Sequence, residues 1–114
     1  MPTASVTYIV EDGRAVSLSV RIGDGQAGGS AAFLGTHKVA EGPEIEDHEL
    51  GEGGHLRGRV LVVSTTVVDI RAEHDRTSAF VELRGGHPET MPVIQAQTAP
   101  TGGAVNYLTV VRFI

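Results

Sequence analysis

An all-β fold, a compact antiparallel β-sandwich of about seven or eight strands, is predicted by three observations. The stretch from Leu56 to Glu73 reads LRGRVLVVSTTVVDIRAE and is apolar on both of its period-two faces. Val60, Val62, Val68 and Ile70 stand on one face, and Leu61, Val63 and Val67 on the other. A strand of that kind lies centrally in a sandwich or against another subunit. A second run, Ala104 to Ile114, repeats the pattern, with Val105, Tyr107, Thr109, Val111 and Phe113 opposite Leu108, Val110 and Ile114. Third, fifteen valines, six isoleucines and ten threonines favour pleated sheet, while no long amphipathic helical period exists. Jelly-roll-like and immunoglobulin-like connections both satisfy this pattern.

In chain order, Ser5 to Val10 alternates as a strand, and Glu11-Asp12-Gly13-Arg14 is a tight turn whose Asp-Gly pair accepts positive φ. Val16, Leu18, Val20 and Ile22 then alternate with Ser17, Ser19 and Arg21, which predicts a half-buried strand in hairpin with the first. The glycine-rich segment 23–29 lacks the Gly-Lys-Ser/Thr ending of a phosphate loop and reads as a turn, followed by a strand at Ser30–Leu34. Residues 35–55 form a Gly-rich acidic loop or insertion with six acidic residues and three histidines; short edge pairings are expected at 36–39 or 44–46. Ser78–Arg84, Met91–Ala96 and Ala104–Ile114 complete the strands. The expected buried set is Val16, Leu18, Val20, Ile22, Phe33, Val60, Val62, Val68, Ile70, Val81, Leu83, Leu108 and Val110. A single β domain over residues 1–114 follows from the length, which is sufficient for one core without staples.

Composition removes several function classes. With no cysteine there is no disulfide framework, thiolate metal site or cysteine nucleophile. Nine Lys plus Arg against fourteen Asp plus Glu, a net charge of −5, argues against nucleic acid. An aromatic content of 4% weakens stacking-based binding of sugars or bases. No segment reads as a membrane span or secretory signal, so cytoplasmic residence is favoured and leaderless export is the alternative.

His48, His55 and Glu52 offer imidazole and carboxylate donors for a metal, but His48-Glu49-Leu50 lacks a second histidine at helical offset and glycines follow. His74 and Asp75, with Asp69 and Glu73, offer the minimum for general acid–base chemistry; ion pairing with Arg71 or Arg76 is the simpler use. No G-x-S-x-G elbow is present. Glu44, Glu46, Asp47 and Glu49 form a tract suited to a basic protein partner, and Tyr107, Val111 and Phe113 are the candidates for an apolar interface. No cofactor is implied. The expectation is a non-enzymatic binding or assembly protein that forms homo-oligomers through an apolar sheet face. The alternatives are a small-molecule enzyme with a His/carboxylate site and a secreted or particle-associated structural protein.

Overall fold

The two-sided apolar run resolves into a central strand whose two faces have different fates. In the computed structural model, which describes residues 1–114, the chain forms β1 (Thr3–Tyr8), β2 (Ala15–Ile22), β3 (Ala27–Leu34), β4 (His37–Gly42) and β5 (Ile45–Glu52). A one-turn helix α1 (Gly53–Leu56) precedes β6 (Val60–Val68), β7 (Arg76–Arg84), β8 (Thr90–Thr98) and β9 (Ala104–Phe113). They build a five-stranded sheet, β1-β9-β6-β3-β4, packed on a four-stranded sheet, β5-β2-β7-β8. All pairings are antiparallel except β1 with β9. This pairing establishes a two-sheet sandwich and is not specific to a jelly-roll-like or immunoglobulin-like connection.

β6 is paired with β9 along its whole length on one side and with β3 from Leu61 to Val68 on the other. Leu61, Val63, Thr65 and Val67 point inward and are buried. The register carries that parity to the neighbours, so Tyr107, Val111 and Phe113 of β9 and Ala32 and Leu34 of β3 are also buried. Val16, Leu18 and Val20 of β2 and Val81 and Leu83 of β7 supply the facing layer. A smaller cluster of Val67, Ala79, Ala99, Val105 and Tyr107 closes one end.

Several expectations are corrected here. Phe33, Val60, Val62, Val68, Leu108 and Val110 lie on the outer face and are only partly buried, and Ile70 is 56% exposed. Tyr107, Val111 and Phe113, expected at an interface, are interior. A period-two pattern groups residues into faces but does not say which face turns inward when both are apolar. The β1–β2 hairpin does not form: β1 joins β9 in the other sheet, and the Asp12-Gly13 turn carries the chain between layers. Within residues 35–55 the edge pairings expected at 36–39 or 44–46 both form and run longer, as β4 and β5, and with α1 they take up most of the segment expected as a loop or insertion, at one side of the sandwich.

Polar groups inside the core are paired. Ser30 Oγ and Thr65 Oγ1 lie 2.9 Å apart, and Tyr107 Oη meets Thr77 Oγ1 at 2.6 Å. Tyr8, fully buried, accepts the Gly86 N–H at 2.8 Å and donates to the Pro88 carbonyl at 2.7 Å. Gly86 must be glycine for this contact, since a Cβ would sit 2.3 Å from the Ile9 carbonyl and 2.8 Å from the Tyr8 ring. Gly28, at φ +151°, is similarly constrained because a Cβ would lie 1.9 Å from the Thr66 carbonyl.

The face assignment predicts that Val63→Ala costs about 2 kcal/mol in urea denaturation whereas Val62→Ala costs less than half of that; equal losses would contradict the parity. Tyr8→Phe leaves the buried Gly86 N–H without its acceptor and is expected to cost about 1–3 kcal/mol. Burial pushes the Tyr8 phenol above its ordinary pKa of 10.0, so its contribution is present below that value and lost as pH rises through the folded one. The alkaline fall in stability should therefore be shallower in Tyr8→Phe than in the native chain.

Candidate functional site

The outer face of the five-stranded sheet carries apolar side chains that the internal packing leaves only partly covered. Register places Phe33 of β3, Val62 of β6 and Val110 of β9 in one transverse row that ends at Ser5 of β1. The adjoining rows add Leu108 beside Ser64 and Val60 beside Arg112. Beside this row a shallow cavity of about 510 Å³ is lined by Val60, Val110, Val6, Met91, Ser5, Thr7 and Arg112. Arg112 is exposed and makes no ion pair. An apolar row of this kind, with one free cation at its margin, offers dispersion and burial rather than reactive groups.

The acidic tract is dispersed by strand formation. Glu44 stands on the β4–β5 connection, and Glu46, Asp47 and Glu49 are exposed on β5. Glu46 and Asp47 line a groove of about 260 Å³ together with Ser19, Arg21, Ile45, Glu82 and Arg84, so its charge is mixed. Glu82 is held by Arg84 Nε at 2.8 Å, and the Asp47 N–H donates to Ser19 Oγ at 3.0 Å. Asp47 adopts φ 43° where β5 is bulged against β2, a local shape that composition does not announce.

The histidines do not converge. His48 is half-buried opposite Leu18, whereas the His55 side chain is 84% exposed and its Nδ1 is 4.0 Å from Glu52 Oε1. The other Glu52 oxygen accepts the Gly13 N–H. No three histidine or acidic side chains are grouped to hold a metal ion. His74 Nδ1 accepts the Arg76 N–H at 3.2 Å, while Asp75 Oδ1 accepts the Thr101 hydroxyl at 3.3 Å, so the two side chains serve different loops. None of the cavities is lined by a histidine.

No family model, curated protein or solved structure matches this chain.

Two networks at opposite ends of the sandwich were not visible in the linear pattern. At one end, Gln26 Nε2 donates to Asp69 Oδ1 at 2.9 Å and to the Arg76 carbonyl at 2.8 Å, and its Oε1 accepts the Ile70 N–H at 2.8 Å. Asp69 is fully buried, with Oδ2 unpartnered. The Asp69 backbone joins the loop after β8, since its N–H donates to the Gly103 carbonyl and its carbonyl accepts from Gly102. The Gln26 side chain and the Asp69 backbone together tie three connections. At the other end, Glu11 Oε2 lies 3.0 Å from His87 Nε2 and 3.4 Å from Arg14 Nη1, and Arg14 also pairs with Glu89. The only sequence signal for the second network is opposite charge in two turns about 75 residues apart, which no local rule connects.

The bond from His87, reinforced by Arg14, holds the exposed Glu11 carboxyl below its ordinary pKa of 4.5. A lowered folded value means a contribution present above 4.5 and lost as pH falls through the folded pKa. Glu11→Gln should flatten the acid limb of a urea-midpoint titration; an unchanged acid limb would show that the Glu11–His87–Arg14 contact carries no linkage.

Proposed function

We propose that this chain is a non-enzymatic assembly protein that associates with further copies of itself through the outer face of the five-stranded sheet. The observation that carries the reading is the transverse row Phe33–Val62–Val110, which is apolar although the sandwich core lies on the opposite side of the same strands. In a two-layer sandwich the outer face ordinarily alternates to polar residues. Ser64, Thr66 and Asn106 follow that rule toward one end of the sheet, while Val60, Val62 and Val110 depart from it toward the other. Each such side chain withdrawn from water contributes about 1 kcal/mol, so a symmetric contact that covers several on each copy offsets the entropy of association only as a set. The acidic residues Glu44, Glu46, Asp47 and Glu49 lie in the opposite edge region and are the place where a basic protein would add to such an assembly.

Sedimentation velocity across a range of protein concentrations tests the reading. The native chain is expected to shift to larger species as concentration rises, and Val62→Lys combined with Val110→Glu to form smaller species than the native chain at every concentration, with an unchanged circular dichroism spectrum. A native chain that sediments as a monomer at every concentration would overturn the reading, and so would a variant that sediments like the native chain.

A further inference from the structure

The two lateral edges of the sandwich differ in charge. On one side, β4, β5 and their connection carry Glu41, Glu44, Glu46, Asp47, Glu49 and Glu52. On the other side, β1 (TASVTY) and β8 (TMPVIQAQT) contain no charged residue at all. Exposed edges are normally guarded by charge, bulges or proline, because their free N–H and C=O groups template pairing with another strand. β5 is guarded by bulges and carboxylates. β8 has only Pro92, near its start.

The direction of the free backbone groups on β8 follows from the ladder. At the two ends of its pairing with β7, Gly85 N donates to Glu89 O and Ala99 N donates to Asp75 O. Odd-numbered residues of β8 therefore bond inward, and the alternation of an antiparallel pair turns the N–H and C=O groups of Thr90, Ile94, Ala96 and Thr98 outward. Pro92 falls in the same outward set, where its missing N–H costs the β7 ladder nothing. Ile94 is 58% exposed, and Ala96, Gln97 and Thr98 are exposed as well, so the C-terminal half of this edge is open.

We infer that this edge pairs with the same edge of a second copy, antiparallel and centred on Ala96, to join two four-stranded sheets into one. Centring on Ala96 sets Ile94 against Thr98 of the second copy and provides roughly six backbone hydrogen bonds without using Pro92. The charge distribution selects a second copy of this acidic chain as occupant. Seven strand spacings of about 4.8 Å would then separate the two β5 strands, about 34 Å, which is several screening lengths of about 8 Å. The two acidic edges would stand at opposite extremes of the joined sheet, and the neighbouring edge β1 would bring no charge to the seam. This contact does not depend on the outer-face reading, since it uses the other sheet.

Hydrogen exchange of the purified chain at low and high protein concentration, read amide by amide, tests the inference. The Ile94, Ala96 and Thr98 amides are expected to gain protection at high concentration, and Ala96→Pro to abolish the gain while the β7–β8 amides stay protected. Ala96→Pro removes an outward N–H and fixes φ at that residue, so the β7–β8 amides are its control; Ile94→Lys, which places charge at the seam without touching the backbone, should act in the same direction. Val62→Lys should leave the edge protection intact, which separates this contact from the outer-face one. Exchange of the three amides that does not change with concentration, or protection that survives both edge variants, would overturn the inference.

Discussion

The central position of β6 is the constraint on which the rest of the structure depends. A strand paired on both sides cannot rotate one residue relative to a neighbour without breaking both ladders, so the decision that Val63 faces inward also decides Val62, Val110, Tyr107 and Phe33. Both settings bury valine. What separates them is the company each face brings: the inward setting takes with it Tyr107, Val111 and Phe113 from β9, which include two of the largest fully buried side chains. The outward setting leaves Leu108 and Val110 with Arg112 and Asn106. Aromatic volume and flanking charge therefore resolve a choice that hydrophobicity along β6 leaves balanced.

The same registration explains the polar interior. Thr65 arrives inside because it shares parity with Val63, and it is tolerated because Ser30, on the adjacent strand and directly opposite, supplies a hydrogen-bond partner. Asp69 continues that parity one step beyond the strand and enters the protein fully buried, where Gln26 and the Arg71 N–H satisfy one of its oxygens. Burial of this carboxylate is a consequence of strand geometry, and the three loops at that end are organised around it. At the other end, Tyr8 and its Gly86 partner perform the corresponding closure, with the Glu11–Arg14–His87 contacts spread over the surface above it. The histidines and carboxylates that the composition offers are largely distributed among such local contacts.

The sandwich architecture, seven of the strands and the buried faces of β2 and β7 were legible because Val16, Leu18, Val20, Val81 and Leu83 alternate against polar neighbours. The inner faces of β6 and β9 were not, because neither strand contains the one-sided polarity that breaks the tie. β4 and β5 were legible only as short edge pairings at 36–39 or 44–46 and not at their full length, because His37–Gly42 and Ile45–Glu52 are edge strands with few inward apolar residues, and glycine and acid dominate their composition. Sheet edges select against the very pattern by which strands are recognised. The parallel β1–β9 pair was also beyond reach, since the local turn signal at Asp12-Gly13 favours a hairpin and only the whole assembly places β1 elsewhere. Of the candidate site residues, Glu44, Glu46, Asp47 and Glu49 are exposed, whereas the apolar interface residues were drawn from the inner face of β9 instead of the outer one.

The surface that remains after these constraints is unequal in a way that bears on association. One sheet offers an apolar row, the other an unguarded strand edge, and the acidic residues are concentrated on the side away from that edge. A two-fold contact at the face and a two-fold contact at the edge would lie on different sheets and have different axes. Two such contacts on one chain would propagate unless their axes happened to close, so alternating face and edge pairing would generate an extended assembly instead of a dimer. Charge would then set the limit of the proposed assembly. With a net charge of −5 on each copy, addition of successive copies accumulates repulsion that salt screens, so length should grow with ionic strength, opposite to the behaviour of an assembly held by ion pairs.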